Sequence, residues 1–284
     1  MIPFDFDYYA PYSVDEAFNL YRELDAEGMQ PLYYSGGTEI ISMARVNNVK
    51  TKAVIDLKKI QDCNSLETSG NYFIMGSCNT LSRIMESKTF PLFDKTAGRI
   101  ADHTNQCKIT LGGNLNSTII YRETALPFLL CDGTTVILRN GQLQEFPFSS
   151  LFKERLQLNP GEFVVQMKVK AEFFSLPFVH VKKTKNEKID YPLLTVAALR
   201  VDNNIRIAFS GLTSYPFRSL QVEDALNQSK LSKEKRVEEA LHNLPYPILN
   251  DVYGSDKFRI FSLKNSLINV LETLEDSHYA KDSR

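Results

Sequence analysis

Apolar positions near the start of the chain follow first a helical and then a strand-like spacing. From Ser13 to Gly28 they fall at Val14, Ala17, Phe18, Tyr21 and Leu24, one face of a helix. Ser13 and Glu16 form an S-x-x-E capping box before that stripe, and Gly28 supplies a stop after it. The short runs "PLYYS" (31–35), "AVIDL" (53–57) and "YFIMG" (72–76) predict strands, and "TEIISMARVN" between the first two predicts a short helix. The opening is therefore strand–Gly-Gly–helix–strand, and strands joined through a helix are expected to run parallel.

Further on, "NTLSRIMES" and "FPLFDKTAGRIADH" predict helices, and "ITLGGNLNST" is rich in turn residues. "ALPFLLCDG" predicts a helix ending at Gly133, "TTVILRN" a strand, and "EFPFSSLF" a strand and a turn. "EFVVQMKVK" predicts a strand after the Pro160-Gly161 turn. The character changes near residue 175. "PFVHVKKTK" and "LTVAALRVDNNIRIAFSGL" predict a three-stranded antiparallel meander, with hairpin chemistry at 201–205. An acidic helical stretch follows ("QVEDALNQ", then "SKEKRVEEALHNL"). A last helix starts near Ser255, with Phe258, Phe261, Leu267, Leu271 and Leu274 as its expected buried face.

Composition narrows the classes. The 284 residues are 43% hydrophobic and 24% charged, enough for one large or two ordinary globular domains. A net charge of -1 gives no basic field for nucleic acid or anionic lipid. The apolar runs are too short to cross a bilayer. The N-terminal "MIPFDFDYYAPYS" has neither a basic nor an apolar leader region, so a cytoplasmic location is expected and the sequon at Asn116 carries no meaning. Cys63, Cys78, Cys107 and Cys131 form no C-x-x-C pair, and His103, His180, His242 and His278 are scattered. Reduced, mostly buried thiols are expected, and no metal site.

The candidate chemistry rests on two glycine doublets. Gly36-Gly37 follows a strand, and Gly112-Gly113 stands in "TLGGN"; Thr38 and Asn114 follow them. Successive glycines let backbone N–H groups converge on an anion and let the peptide touch a pyrophosphate directly. A helix N-terminus behind such a loop adds positive potential. Two tight turns would leave the same trace, and both readings stay open on spacing alone. Neither doublet is a G-x-G-x-x-G or a G-x-x-x-x-G-K-[ST] loop, and no G-x-S-x-G or H-E-x-x-H occurs.

Several stretches, in order, carry a resemblance. "YYSGGTEIISMARVNNVKTKAVIDLKKI" resembles an A-G-G-T-D-L loop followed by a V-D-I-x-x-I strand end. "FIMGSCNTLSRI" resembles I-G-A-x-T-x-x-x-E-I, and "ITLGGNLNS" resembles T-I-G-G-N. "VKKTKNEKIDYPLLTVAALRV" resembles K-x-x-x-R-x-x-x-D-[YF]-P-x-x-x-V-A. "RIAFSGLTSYPFRSLQVEDAL" and "DVYGSDKFRIFSL" resemble A-F-G-G-x-x-x-x-P-x-R and D-x-x-G-S-x-x-Y-R. Each motif is weak alone; their common order is specific. Over almost its whole length the chain resembles the FAD-binding medium subunit of molybdenum hydroxylases, the family of xanthine dehydrogenases and carbon monoxide dehydrogenase.

The resemblance implies an α+β chain with a vanillyl-alcohol-oxidase-type FAD-binding fold. That fold would occupy residues 1–174, as two α/β subdomains of about 1–58 and 59–174. An α+β domain would follow at 175–284. It implies that Tyr34, Ser35, Gly36, Gly37, Thr38 and Glu39, with Thr110, Gly112, Gly113 and Asn114, hold the FAD pyrophosphate. It places Glu123, Lys182 and Tyr191 on the flavin side. Residues alone would make Lys182 part of a solvated "KKTK" strip and Tyr191 a core aromatic. No catalytic side chain and no metal ligand is implied, because the cofactor carries the chemistry. Electrons would come from [2Fe–2S] clusters on a small partner subunit and pass through FAD to NAD or another acceptor. Hydroxylation, with purine as the implied substrate, would occur on a molybdopterin-binding large subunit, in a dimer of heterotrimers.

The chain departs from the family pattern in places. "NQCKIT" stands where the family has I-R-N-x-G-T, Glu123 falls where the second Asp of D-P-x-x-D is usual, and Asn186 replaces an arginine. These changes spare the glycine loops and alter the flavin-side set. Two alternatives follow: a stand-alone FAD oxidoreductase, or a structural subunit that kept the fold without flavin.

Overall fold

The computed structural model describes residues 1–186 and 189–276. The strands are β1 (Asp7–Tyr9), β2 (Leu32–Tyr34), β3 (Ala53–Asp56), β4 (Leu66–Ser69), β5 (Tyr72–Gly76), β6 (Thr134–Arg139), β7 (Gln142–Pro147), β8 (Phe163–Lys170), β9 (Phe178–Thr184), β10 (Pro192–Val201), β11 (Asn204–Ser210) and β12 (Phe217–Arg218). The helices are α1 (Val14–Ala26), α2 (Thr38–Arg45), α3 (Leu81–Glu86), α4 (Pro91–Ala97), α5 (His103–Gln106), α6 (Leu111–Asn116), α7 (Ala125–Leu130), α8 (Phe148–Leu151), α9 (Leu220–Leu226), α10 (Lys233–His242) and α11 (Asp256–Asp276). They fall into two compact units. One comprises Met1–Thr89, Asp102–Ser117 and Asp132–Ala171; the other comprises Phe90–Ala101, Thr118–Cys131 and the described residues after Ala171.

The first unit holds two sheets. β1, β3 and β2 form a parallel sheet in that order, as the strand–helix–strand opening requires. The central strand β3, "AVID", is buried at every position. β1 was not legible in "DFDYY": a three-residue edge strand mostly open to solvent has too few positions to show a period. The second sheet, β4-β5-β8-β6-β7, is antiparallel throughout. Val14, Ala17 and Leu24 of α1 pack with Ala53, Ile55, Leu138, Phe163 and Val165. Ser13 caps α1 through the Glu16 N–H at 3.1 Å, while the Glu16 carboxylate takes the N–H of Tyr12 rather than that of Ser13. Gly28 ends the helix in a left-handed conformation, φ 71°.

The second unit is built on the antiparallel sheet β12-β11-β10-β9. The expected meander is there, with the two-residue β12 added. Val201 pairs with Asn204, and Asp202 and Asn203 take positive φ between them, as a tight hairpin demands. Alternation sorts the two faces. Leu194, Val196, Ala198, Ile205, Ile207 and Phe209 face α9, α10 and α11. Residues one step along, such as Lys182, Thr195 and Ser210, make their bonds to chain from the sequence's first half, at Arg99, Glu123 and Tyr121.

Two expectations change. "ITLGGNLNST" is a short helix, α6, with both glycines inside it, not an open turn. On α11, Leu267, Leu271 and Leu274 are buried as expected, but Phe258 and Phe261 are 53% and 62% exposed. The buried stripe instead begins at Arg259 and Leu263, and the two phenylalanines lie on the opposite side of the helix.

Candidate functional site

The first glycine doublet joins β2 to α2. Gly37 takes a left-handed conformation (φ 70°, ψ -2°) and stands as the N-cap of α2 without a capping side chain. Among the described residues, neither the Gly37 nor the Thr38 N–H has a hydrogen-bond acceptor. An eight-residue helix thus presents uncapped donors at its positive end. The carboxyl ends of the parallel strands β1, β3 and β2 lie at the same edge, the side on which open α/β sheets take ligands.

Both doublets are also needed for close packing. A Cβ on Gly36 would collide with the Lys108 carbonyl and come within 3.2 Å of the Thr110 N. A Cβ on Gly37 would enter the Tyr34 ring, and one on Gly112 would lie 2.7 Å from the Ser77 Cβ. The loops before α2 and α6 therefore press directly on each other. The two loops differ in what they can offer. Thr110 caps α6 by accepting from Gly113 N at 3.3 Å. The N–H of Leu111 bonds Asn79 O, that of Gly112 bonds Ser77 O, and that of Asn114 bonds Thr110 O. The donors around the second doublet are committed within the chain, whereas those at the first are not.

Beside the first doublet, side chains from strand ends gather on Asp56, the last residue of β3. Asp56 is 4% exposed. Its Oδ2 accepts from the Tyr8 hydroxyl at 2.5 Å and from Lys58 Nζ at 2.6 Å, and its Oδ1 accepts from Lys58 N at 3.0 Å. Lys58 Nζ also donates to Ser35 O at 3.1 Å and sits 4.5 Å from the centre of the Tyr34 ring. The hydrogen bond to Asp56 pushes the Tyr8 phenol up to about 12, so it stays a donor. Below the loops, Cys63 and Cys78 are buried neighbours, linked by the bond from Cys78 N to Cys63 O. Hydrogen bonding to Cys78 and burial push the Cys63 thiol up. Among the described residues no His, Cys, Asp or Glu cluster could hold a metal ion.

The other predicted residues lie in the second unit. Lys182 is not in a solvated strip. Its ammonium donates to Glu123 Oε2 at 2.8 Å and to Arg99 O at 2.7 Å, with 2% of the side chain exposed. Thr195 Oγ1 donates to the other Glu123 oxygen at 2.6 Å. Nor is Tyr191 a core aromatic. It is 44% exposed, just ahead of β10, and stacks on Tyr121 at 5.0 Å with Tyr253 edge-on to both. Burial, then Asp251 and Tyr253, push the Tyr121 phenol up to about 12. The fully buried Arg259 ties this corner together. It donates to the carbonyls of Leu193 and Gly211 and to Asp251.

Sequence reasoning passed over Asp56, Lys58 and Arg259. The first two stand in "VIDLKK" at a strand end beside the glycine loop, which was a usable signal. Arg259 carried none, because a lone arginine in a helix is ordinarily solvated.

Residues 4–169 match the family model described as the FAD binding domain in molybdopterin dehydrogenase. The chain belongs to this family. Its cofactor is FAD, and in this family molybdopterin and the iron–sulfur centres reside on partner chains, a large and a small subunit. The glyceraldehyde dehydrogenase medium chain of Sulfolobus acidocaldarius is 24% identical over 82% of this chain and 85% of its own. The nicotinate dehydrogenase FAD-subunit of Eubacterium barkeri is 23% identical over 95% of each. In structure, carbon monoxide dehydrogenase from Hydrogenophaga pseudoflava superposes with a TM-score of 0.85 at 19% identity, over 96% of this chain and 98% of that one. Quinoline 2-oxidoreductase from Pseudomonas putida 86 superposes at 0.84, also at 19% identity, over 97% and 98%. The α+β flavoprotein fold that the resemblance implied is the fold found. Among the described residues no helix is long and apolar enough to cross a membrane.

Proposed function

We propose that this chain carries FAD between partner iron–sulfur clusters and an electron acceptor, NAD or another, in a xanthine-dehydrogenase-like molybdenum hydroxylase. The observation that carries the cofactor site is the uncapped N-terminus of α2, with its unaccepted Gly37 and Thr38 N–H groups at the carboxyl edge of a parallel sheet. These donors fit the phosphates of a dinucleotide. Tyr34, Ser35, Gly36, Gly37, Thr38 and Glu39 would bind there. Thr110, Gly112, Gly113 and Asn114 would brace that loop and let the backbones approach. Glu123, Lys182 and Tyr191 are assigned to the flavin side on the family pattern.

When bound, FAD supplies the electron-transfer chemistry. The chain's own residues bind and orient it, and no nucleophile or general base is required of them. The FAD-binding domain is proposed as residues 1–174 and the C-terminal domain as 175–284; the family match ending at 169 supports that boundary. A cytoplasmic location and a dimer of heterotrimers complete the reading. The nitrogen heterocycle named for the Eubacterium barkeri relative supports a heteroaromatic substrate for the large subunit, with purine first to be tried. The test is co-purification from the native source, followed by reduction of the FAD when candidate substrates are added. Reduction by xanthine with NAD as acceptor supports the finer reading. Reduction only by nicotinate or an aldehyde overturns its purine part.

A further inference from the structure

Building on the FAD reading, we propose that Lys58 is a phosphate-binding residue of the dinucleotide site, held in place by Asp56, Tyr8 and Tyr34. Neither glycine loop contains a cation: residues 33–39 read YYSGGTE and 109–114 read ITLGGN. A diphosphate held there meets only neutral donors from those two stretches, so a cation beside them would add a charge-assisted contact. Lys58 is placed for that role. It lies two residues past the end of β3, at the edge where the parallel strands end, and its ammonium touches the Ser35 carbonyl next to Gly36.

The placement is fixed from behind and open in front. The Asp56 side chain is 5% exposed and that of Lys58 is 47% exposed. The carboxylate therefore anchors the ammonium from the buried side, while nearly half of the Lys58 side chain stays open to solvent. The Tyr8 hydroxyl and the Lys58 N–H already serve Asp56, so the carboxylate does not depend on the ammonium alone. The Tyr34 ring at 4.5 Å adds a cation–π contact on one flank. An ammonium has three protons, and two are committed, to Asp56 and to Ser35 O. The third is available to an anion. A lysine pre-positioned in this way loses little freedom on binding phosphate, which is what a strong charge-assisted contact needs.

The test is FAD titration of the purified full chain, stripped of flavin, at several salt concentrations, for wild type, Lys58→Gln and Lys58→Arg. Lys58→Gln is expected to raise Kd roughly tenfold, the scale of one charge-assisted hydrogen bond, and to flatten its salt dependence. Lys58→Arg should restore the salt dependence, which a purely structural role would not require. Lys58→Gln with wild-type Kd and salt dependence overturns the proposal while leaving the FAD reading intact. A wild-type chain that takes up no FAD overturns both. Should Lys58→Gln fail to fold, acetylation of the wild-type chain read by mass spectrometry decides. FAD is expected to slow modification of Lys58 several-fold, and equal rates with and without FAD overturn the proposal.

Discussion

The Lys182 ammonium and the Glu123 carboxylate meet at 2.8 Å with almost no solvent on either side chain. The pair ties the segment before α7 to the middle of β9 across the second unit. Its two halves sit 59 residues apart in sequence, and each has one further partner, Arg99 O for the ammonium and Thr195 Oγ1 for the carboxylate, neither of which carries a compensating charge.

Removing one partner strands the other charge in the interior. Lys182→Ala is expected to destabilise the fold by about 3–5 kcal/mol, while Lys182→Met combined with Glu123→Leu recovers most of that loss. Urea unfolding of the single and double variants checks this. A double variant no better than the singles would show that the charges matter for more than each other.

Gly36 and Gly37 are expected to fail differently. An alanine at Gly36 meets the Lys108 carbonyl and the Thr110 N, backbone that cannot swing away. At Gly37 it meets the Tyr34 ring, which can move, and adds a left-handed strain of about 1–2 kcal/mol. Thermal melts should therefore rank Gly36→Ala below Gly37→Ala, and both should weaken FAD uptake.

Two partly buried groups set opposing pH trends. Burial first, then Lys182, Arg99 and Lys95, push His180 down to about 4. The unfolded chain then binds the proton more tightly, so this histidine's share of stability is lost as pH falls from about 6.5 to 4. Burial raises Asp94 to about 6, so its share is present below about 4 and lost as pH rises through 6. His180→Gln should flatten the acid limb of a stability–pH curve. Asp94→Asn should raise stability at pH 7 by about 1 kcal/mol, allowing for solvent screening of a half-exposed group, and by less at pH 4.

The exposed and buried faces of α11 differ in what a substitution costs. Phe261→Ser should change stability by less than about 0.5 kcal/mol, whereas Leu267→Ala should cost about 2–5 kcal/mol. Chemical denaturation of the two variants separates them.

What could be read from the sequence was local. The α1 stripe, the Gly28 stop, the Asp202-Asn203 hairpin and the strand–Gly-Gly–helix opening all rest on neighbours a few residues apart, and all are present. What was misread depends on distant chain. Lys182 looked solvated because its partner, Glu123, is far away in sequence. Phe258 and Phe261 looked buried because apolar identity was weighed above helical phase, while Arg259 filled the buried position through two distant carbonyls, of Leu193 and Gly211, and the nearer Asp251. The second doublet looked like an open loop because its spacing does not reveal that Thr110 caps a helix through it. Segments 90–101 and 118–131 fall in the same compact unit as β9 to β12, a long-range grouping that no local pattern carries.

The most direct test of the account is an absorption spectrum of the purified chain, with heat release and identification of its cofactor. Flavin bands and about one FAD per chain are the expected result, retained on wild type and diminished in Gly36→Ala. A colourless chain that also takes up no added FAD would contradict the account, leaving both glycine doublets as packing devices in a flavoprotein fold without its flavin.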